Sequence, residues 1–443
     1  MPGGGASNGA HTRLLPATIV LLYLICATLW SLTVPPFESP DEPGHARYVN
    51  FVRANGRLPL PATEAPGESH QPPLYYLVAA GISRLTGLEP IAVEPTRNPG
   101  FRWYGGVQEN KYLHPATEAP PLSGTAASLH WMRLLSVVLG AGTVLLVYVM
   151  AASGGAGPHS AALTAALVAF LPQFTFISAG LNNDNLANTL SAGSLACLTW
   201  AARDPRRPAA WAAAGCLAGL GVAAKFTCLI LLPAGLIAAA LLLRGGPRSR
   251  AALTFLGPAM AIPMPVWARN FWLVGDPFGA GAQAETLHNL LDQKNLFSTY
   301  FLVEFPTVLF RSFWGTFGWM SLRMPAWWYA ACLAVALAAA AGLMLMRRDA
   351  ATRRLHLLLG TAVVIQIGQV VAYNMTFTQA QGRFLFPVIG PIAMLMAAGL
   401  AEWGRRLGAP PPGPRATYLI VAALAALNLC VLRLVVEPAY LPG

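Results

Sequence analysis

Charge is scarce in this 443-residue chain: 11% of its residues are Asp, Glu, Lys or Arg, against roughly 25% in an ordinary soluble domain. That shortage excludes a soluble enzyme. Lysine is nearly absent, with Lys111, Lys225 and Lys294 standing among 29 basic residues, and the arginine bias suggests a GC-rich bacterial genome. Cysteine is also sparse. Cys26, Cys197, Cys216, Cys228, Cys332 and Cys430 lie in or beside apolar runs, with no CxxC pair and no histidine at metal-ligand spacing. Small buried hydrophobes are expected there, and neither disulfides nor a zinc module. No repeat of fixed period is visible, and 409–414 (Ala-Pro-Pro-Pro-Gly-Pro) is the one low-complexity stretch, a stiff linker. The Gly-rich N-terminus has no small-residue cleavage site after its apolar run, so that run is expected to be a retained first span.

What the chain has in abundance is apolar length: 55% of it is hydrophobic. A run of about 20 apolar residues crosses a hydrocarbon core of about 30 Å. Window reading gives eleven such runs: 14–34, 129–150, 161–178, 186–202, 209–223, 226–243, 251–273, 325–346, 355–373, 384–401 and 417–436. The expected fold is an all-α polytopic membrane protein, one transmembrane domain over 1–443 with about eleven spans. Its net charge of +11 must first be tested against the orientation rule. With a cytoplasmic N-terminus, four of the five cytoplasmic loops are basic. They hold Arg203, Arg206, Arg207, Arg244, Arg248, Arg250, Arg347, Arg348, Arg353, Arg354, Arg405, Arg406 and Arg415. Much of the basic excess is therefore topology, and no nucleic-acid partner is expected.

The opposite side receives two long outer loops, 35–128 and 275–324, rich in Pro, Trp, Tyr and Phe, the composition of interfacial helices. The stretch 74–86 is placed as a re-entrant or interfacial helix, because counting it as a span would break the arginine pattern. Phe313, Trp314, Phe317 and Trp319 read as an interfacial aromatic belt, and Gly275-Asp276-Pro277 as a turn leaving the membrane.

Chemistry collects on that outer side. The segment Pro35-Pro-Phe-Glu-Ser-Pro-Asp-Glu-Pro-Gly-His45 sets Glu38, Asp41, Glu42 and His45 beside the first span, where a partly desolvated carboxylate is basic enough for general-base work. Ser39 with Glu42 also reads as a capping box, which leaves Asp41 and His45 unexplained. Asn182, Asn183 and Asp184 close the third span and suit sugar hydroxyls or a divalent cation, or cap helices. Arg133, Lys225 and Arg383 are phosphate candidates whose alternative is snorkelling. Lys225 stands out, since a positive residue there opposes the orientation bias.

The motifs in order are the acid-rich first loop, His70-Gln-Pro-Pro-Leu-Tyr-Tyr76, Arg133-Leu-Leu-Ser136, Asn183-Asp184, Ala-Ala-Lys225-Phe-Thr, Arg269-Asn with Gly-Asp-Pro, and Gln-Gly-Arg383-Phe-Leu-Phe-Pro387. Together they resemble the GT-C superfamily of membrane glycosyltransferases over nearly the whole chain. The similarity is to the branch with protein O-mannosyltransferases and lipid A aminoarabinose transferases, and to bacterial relatives with a Ser-Pro-Asp-Glu-Pro-Gly-His loop. The resemblance implies an inverting transfer of a sugar from a polyprenyl-phosphate carrier to a cell-envelope acceptor, outside a bacterial inner membrane. Asp41, with Glu42 beside it, would be catalytic and Asp41 the base. His45, His70, Gln71, Arg133, Asn183, Asp184, Lys225 and Arg383 would contact substrate. Relatives often carry Lys before the Pro-Pro pair where Gln71 stands here. Some relatives use a divalent metal ion, for which Glu42, His45 and Asp184 are the candidate ligands, although three ligands over two loops form no metal signature. The competing classes are a lipid or saccharide transporter or flippase, against which the one-sided clustering counts, and an O-antigen-type ligase or polymerase.

Overall fold

The computed structural model describes residues 5–61, 63–102, 110–118, 121–243 and 248–440; Arg244, one of the loop arginines, lies outside them. Helices dominate. The first long segment separates α1 (Gly5–Thr33) from α4 (Gly124–Ser153) and contains α2 (Glu42–Asn55) and α3 (Leu74–Leu85). There follow α5 (Pro158–Ala169), α6 (Pro172–Ser178), α7 (Asp184–Arg203), α8 (Pro208–Ala224), α9 (Leu231–Leu242), α10 (Arg248–Ala261) and α11 (Met264–Val274). The second long segment carries α12 (Ala280–Thr286), α13 (Phe305–Trp314) and a two-stranded antiparallel ribbon, β1 (Thr316–Phe317) with β2 (Leu322–Arg323). The chain ends with α14 (Ala326–Leu345), α15 (Ala350–Asn374), α16 (Ile389–Arg406), α17 (Pro414–Val431) and α18 (Glu437–Tyr440).

Among the described residues, six helical stretches are long and apolar enough to cross a membrane: Leu14–Thr33, Gly124–Ser153, Ala326–Leu345, Ala350–Asn374, Gly382–Arg406 and Pro414–Tyr440. The bent pairs α5–α6 (64°) and α10–α11 (47°) make eight if each is one span. Proline causes both bends. Pro172 opens α6, Pro263 and Pro265 flank the start of α11, and a proline breaks the preceding hydrogen-bond ladder. The protein is therefore polytopic. Eleven spans exceed this number because α7 carries Asn185, Asn188, Ser191 and Ser194, while α8 and the Phe226–Leu242 stretch are short.

Small residues let the helices meet backbone to backbone. A Cβ on Gly215 would lie 2.1 Å from the Phe255 carbonyl oxygen, and one on Gly219 2.8 Å from that of Pro258, so α8 presses directly on α10. Gly342 and Gly399 do the same for α14 and α16. The helices that matter most alternate in direction but share the same two ends. The α7 helix starts at Asp184 and ends at Arg203, α8 runs from Pro208, just after Arg207, to Ala224, just before Lys225, and α15 runs from Arg353 and Arg354 towards Tyr373. The stretch through α16 runs from Arg383 to Arg405 and Arg406. The arginine loops and the acidic and basic groups near Asp184 therefore occupy opposite ends of a bundle whose 20-residue α7 is about 30 Å long.

Three expectations need correction. Ser39 does not cap α2: Asp41 is its N-cap residue, in the left-handed region at φ 64°, and the Ser39 hydroxyl is buried without a partner. Phe317 and Phe313 are core rather than belt. Phe317 packs at ring-centroid distances of 5.1 Å from Trp30 and 5.5 Å from Phe176, because the ribbon folds back over the end of α1. Of the cysteines, all free, only Cys26 and Cys228 are buried, while Cys216 and Cys430 sit on exposed helix faces.

Candidate active site

The loop Pro35–Asp41 is held in place by one clamp. Glu42 is fully buried and accepts four hydrogen bonds: Arg133 Nε (2.8 Å) and the Leu181 N–H (2.8 Å) at Oε1, Arg133 Nη2 (2.6 Å) and the Phe37 N–H (2.9 Å) at Oε2. Arg133 also donates to the carbonyls of Ser31, Val34 and Pro35 at the exit of α1. Neither side chain has capacity left for a substrate. Glu42 as a catalytic group and Arg133 as a substrate contact are both corrected: they tie α1, α2, α4 and the α6–α7 turn together.

Asp41, one residue earlier, points elsewhere. Its carboxylate accepts from Arg383 Nη2 and remains 26% exposed. Arg383 Nη1 reaches Asp184 Oδ2 (3.2 Å), and Lys225 Nζ donates to Asp184 Oδ1 (2.6 Å). Two cations and two carboxylates from four separated stretches thus form one chain of contacts, with Asp184 bridging Lys225 and Arg383. Local sequence explains how each arrives. Lys225 sits in an extended residue between α8 and the 3-10 turn Phe226–Ile230. Arg383 follows Gly382, where a Cβ would lie 2.1 Å from the Phe313 backbone nitrogen, so only glycine lets the Gln-Gly-Arg turn seat against α13. Asp184 opens α7 directly after Asn183.

Asp41, Lys225 and Arg383 line a cavity of about 140 Å³ together with His45, Glu68, His70 and Gln71 and a wall from α15, with Asp184 behind the two cations. Burial would raise the Asp41 carboxyl, but Arg383, with Lys225 beyond, outweighs it and holds the pKa below the usual carboxylate value. Burial pushes His45 down to about 3, against the pull of Asp41, and His70 down to about 4, helped by Lys225. Both rings are neutral near pH 7. His45 Nδ1 pairs with the Tyr76 hydroxyl (2.9 Å), and Asn183 donates to Gln71 Oε1 (3.4 Å).

Glu68 was not among the sequence candidates. Burial, then the charge of Asp41, lifts its pKa to about 8, so it is protonated at neutral pH. It reaches the cavity because the first turn of α2 presses on its loop: a Cβ on Gly67 would lie 2.9 Å from Gly44 Cα, and one on Gly44 2.9 Å from Glu68 Cγ. The only hint in sequence is an acid two residues ahead of the His70 motif. Lys111 and Trp319 border the same region. Lys111 Nζ lies 3.0 Å from the Trp319 ring centroid, and Trp319 Nε1 donates to the Phe37 carbonyl (3.0 Å), clasping the two long segments.

The proposed metal ligands do not fit a cation. Glu42 is saturated by Arg133 and two backbone donors, Asp184 is already neutralised between Lys225 and Arg383, and His45 Nδ1 is engaged by Tyr76. No group of three or more His, Cys, Asp and Glu side chains suited to a metal exists among the described residues.

The family model described as "Predicted membrane protein (DUF2142)" matches residues 122–392. No curated protein matches the sequence at a significant level. Among solved structures, ArnT from Cupriavidus metallidurans bound to undecaprenyl phosphate is similar at a TM-score of 0.54 and 15% identity, over 96% of this chain and 73% of that one. The apo oligosaccharyltransferase of Archaeoglobus fulgidus gives 0.53 and 14% over 97% of this chain, which spans 55% of that longer protein. The arabinofuranosyltransferase AftD from Mycobacteria gives 0.53 and 15%, over 95% of this chain and 26% of its own. These three neighbours are GT-C glycosyltransferases, and what they share with the chain is the fold.

Proposed function

The chain belongs to the DUF2142 family of membrane proteins, and we propose that it transfers a sugar from a polyprenyl-phosphate carrier to an acceptor hydroxyl, with Asp41 as general base. The observation that carries this reading is the pairing of an accessible carboxylate with two cations in one cavity, Lys225 and Arg383 being held side by side by Asp184. Undecaprenyl phosphate in the ArnT neighbour supports a carrier of that class.

The chemistry follows from the geometry. The acceptor O–H gives its proton to the Asp41 carboxylate as its oxygen bonds to the anomeric carbon. The bond from that carbon to the phosphate oxygen breaks on the opposite face, its electron pair leaves on the phosphate, and the configuration inverts. Lys225 and Arg383 stabilise the leaving phosphate, Arg383 as a fork and Lys225 as a point charge. Arg383 also explains how a carboxylate with a lowered pKa becomes a base. A phosphate that takes over Arg383 neutralises the charge depressing Asp41, so carrier binding raises its basicity.

Counting α7, α8, α9 and both bent pairs as spans gives eleven, with the N-terminus cytoplasmic. The cavity and the segments 35–128 and 275–324 then face outward, away from the arginine loops, in the plasma membrane of a bacterium. The test uses full-length protein in lipid nanodiscs with a labelled undecaprenyl-phosphate sugar. Wild type should release undecaprenyl phosphate, by transfer or by hydrolysis, and Asp41→Asn should slow release by about 10²–10⁴-fold. A wild type that binds the carrier without cleaving it, or a fully active Asp41→Asn, would overturn the proposal.

A further inference from the structure

The charged groups leave one wall of the cavity unexplained. It is lined by Gln366, Gln369 and Tyr373 of α15 together with Gln379 and Gln283. Gln366 and Gln369 are three residues apart and so share one face of that helix. Gln366 Nε2 donates to the Phe384 carbonyl (2.7 Å) and Gln369 Nε2 to the Phe226 carbonyl (3.1 Å). A carbonyl can only accept, so both amide orientations are forced by their partners. Each is left with a buried Oε1 that has no protein partner, and the Gln366 residue is fully buried. Orphaned buried acceptors inside a cavity call for a ligand that brings hydroxyl donors.

A donor is fixed nearby by the same logic. Asn183 Nδ2 donates to Gln71 Oε1, which turns Gln71 Nε2 towards His70 Nε2 (3.2 Å). The neutral His70 ring then carries its proton on Nδ1, and that buried atom also lacks a partner. The cavity volume of about 140 Å³ is close to the ~150 Å³ that holds a benzene-sized ring.

We infer that the Gln366–Gln369 face of α15 is the sugar subsite, built for a neutral ring whose hydroxyls donate to two amide oxygens, and that it disfavours an acidic sugar. The inference rests on the transfer reading above and adds the class of sugar to it. A uronate carboxylate would set its oxygens against the amide oxygens of Gln366 and Gln369, whose nitrogens are committed to backbone carbonyls and cannot turn to receive it.

The experiment measures binding of methyl pyranosides to the full-length protein in nanodiscs by saturation-transfer NMR, with undecaprenyl phosphate binding measured separately. Neutral methyl glucoside and methyl xyloside should bind, and methyl glucuronide about tenfold more weakly. Gln366→Met and Gln369→Met should each cut neutral-glycoside affinity about tenfold and leave undecaprenyl phosphate affinity at the wild-type value. Gln369 is only half-buried, so Gln369→Met decides the matter if Gln366→Met fails to fold. Equal binding of neutral and acidic glycosides, wild-type affinity in Gln369→Met, or a parallel loss of undecaprenyl phosphate affinity would overturn the subsite. Failure of undecaprenyl phosphate to bind wild type would instead strike the carrier reading, with the glycoside result still deciding the subsite.

Discussion

Asp41 and Glu42 are neighbours in sequence and meet opposite fates. Glu42 lies in a clamp with every acceptor position filled, its partners being Arg133 and two backbone N–H groups. Asp41 lies at the edge of a cavity, a quarter exposed, with a partner that a phosphate can claim. The difference teaches that spare capacity, more than burial or charge, separates an acid locked into the structure from one left free to meet a ligand. The clamp also fixes the backbone that displays Asp41. Among the described residues, four non-glycine positions have positive φ, namely Phe37, Asp41, Ala65 and Met320, and all four lie in the two long segments that border the cavity. Strain of this kind persists only where surrounding contacts over-determine it.

The comparison breaks most visibly through paired substitutions. Asp41→Asn should reduce transfer by about 10²–10⁴-fold while leaving the melting temperature near wild type, read by turnover and thermal unfolding on one preparation. Arg133→Met should do the reverse in kind. It strands the buried Glu42 carboxylate and should cost about 3–5 kcal/mol of stability, seen as poor recovery from the membrane or a lowered melting temperature. A stable Arg133→Met protein with a selective loss of donor affinity would move Arg133 back into the site.

The acidity of Glu68 sharpens the contrast. Its native pKa of about 8 lies above the ordinary value of 4.5, so between those limits the native state keeps a proton that the unfolded chain has lost, and stability falls as pH rises. Above pH 8 an ionised Glu68 adds negative charge beside Asp41 and opposes the incoming phosphate. KM for the donor should therefore climb several-fold from pH 7 to 9, and Glu68→Gln should flatten that profile.

The smallest effect is expected at His114, which joins Glu38 (3.1 Å) and Glu118 (2.7 Å). Burial would lower its pKa, but the two carboxylates lift it to about 9. Its contribution is complete below pH 6.5 and is lost as pH rises through 9. His114→Ala should cost about 1–3 kcal/mol, because it leaves the buried Glu38 carboxylate short of a partner, and loosen the 110–118 stretch to proteolysis at neutral pH, with a smaller effect at pH 10.

Much of the membrane architecture was legible because hydropathy reports it locally, and the ends of the bundle were legible because arginines mark one of them. That division already set Asp41, Asp184, Lys225 and Arg383 on a common side, where the structure joins them. The roles of Glu42 and Arg133 were not legible, because the contact that decides them spans 91 residues. Glu68 was hidden for a similar reason: only the meeting of Gly44 with Gly67 brings it to the cavity. Gln366 and Gln369 were lost inside the apolar run 355–373, where hydropathy averages over them, although polar residues within a span deserve a functional reading.

The central claim is that Asp41 does chemistry while Lys225 and Arg383 hold the carrier. Single-turnover transfer and donor binding, measured together on Asp41→Asn protein in nanodiscs, test it most directly. The account predicts wild-type or tighter donor binding, since Arg383 is released from a charged partner, with transfer lost. Retained transfer, or a loss of donor binding equal to the loss of turnover, would contradict it.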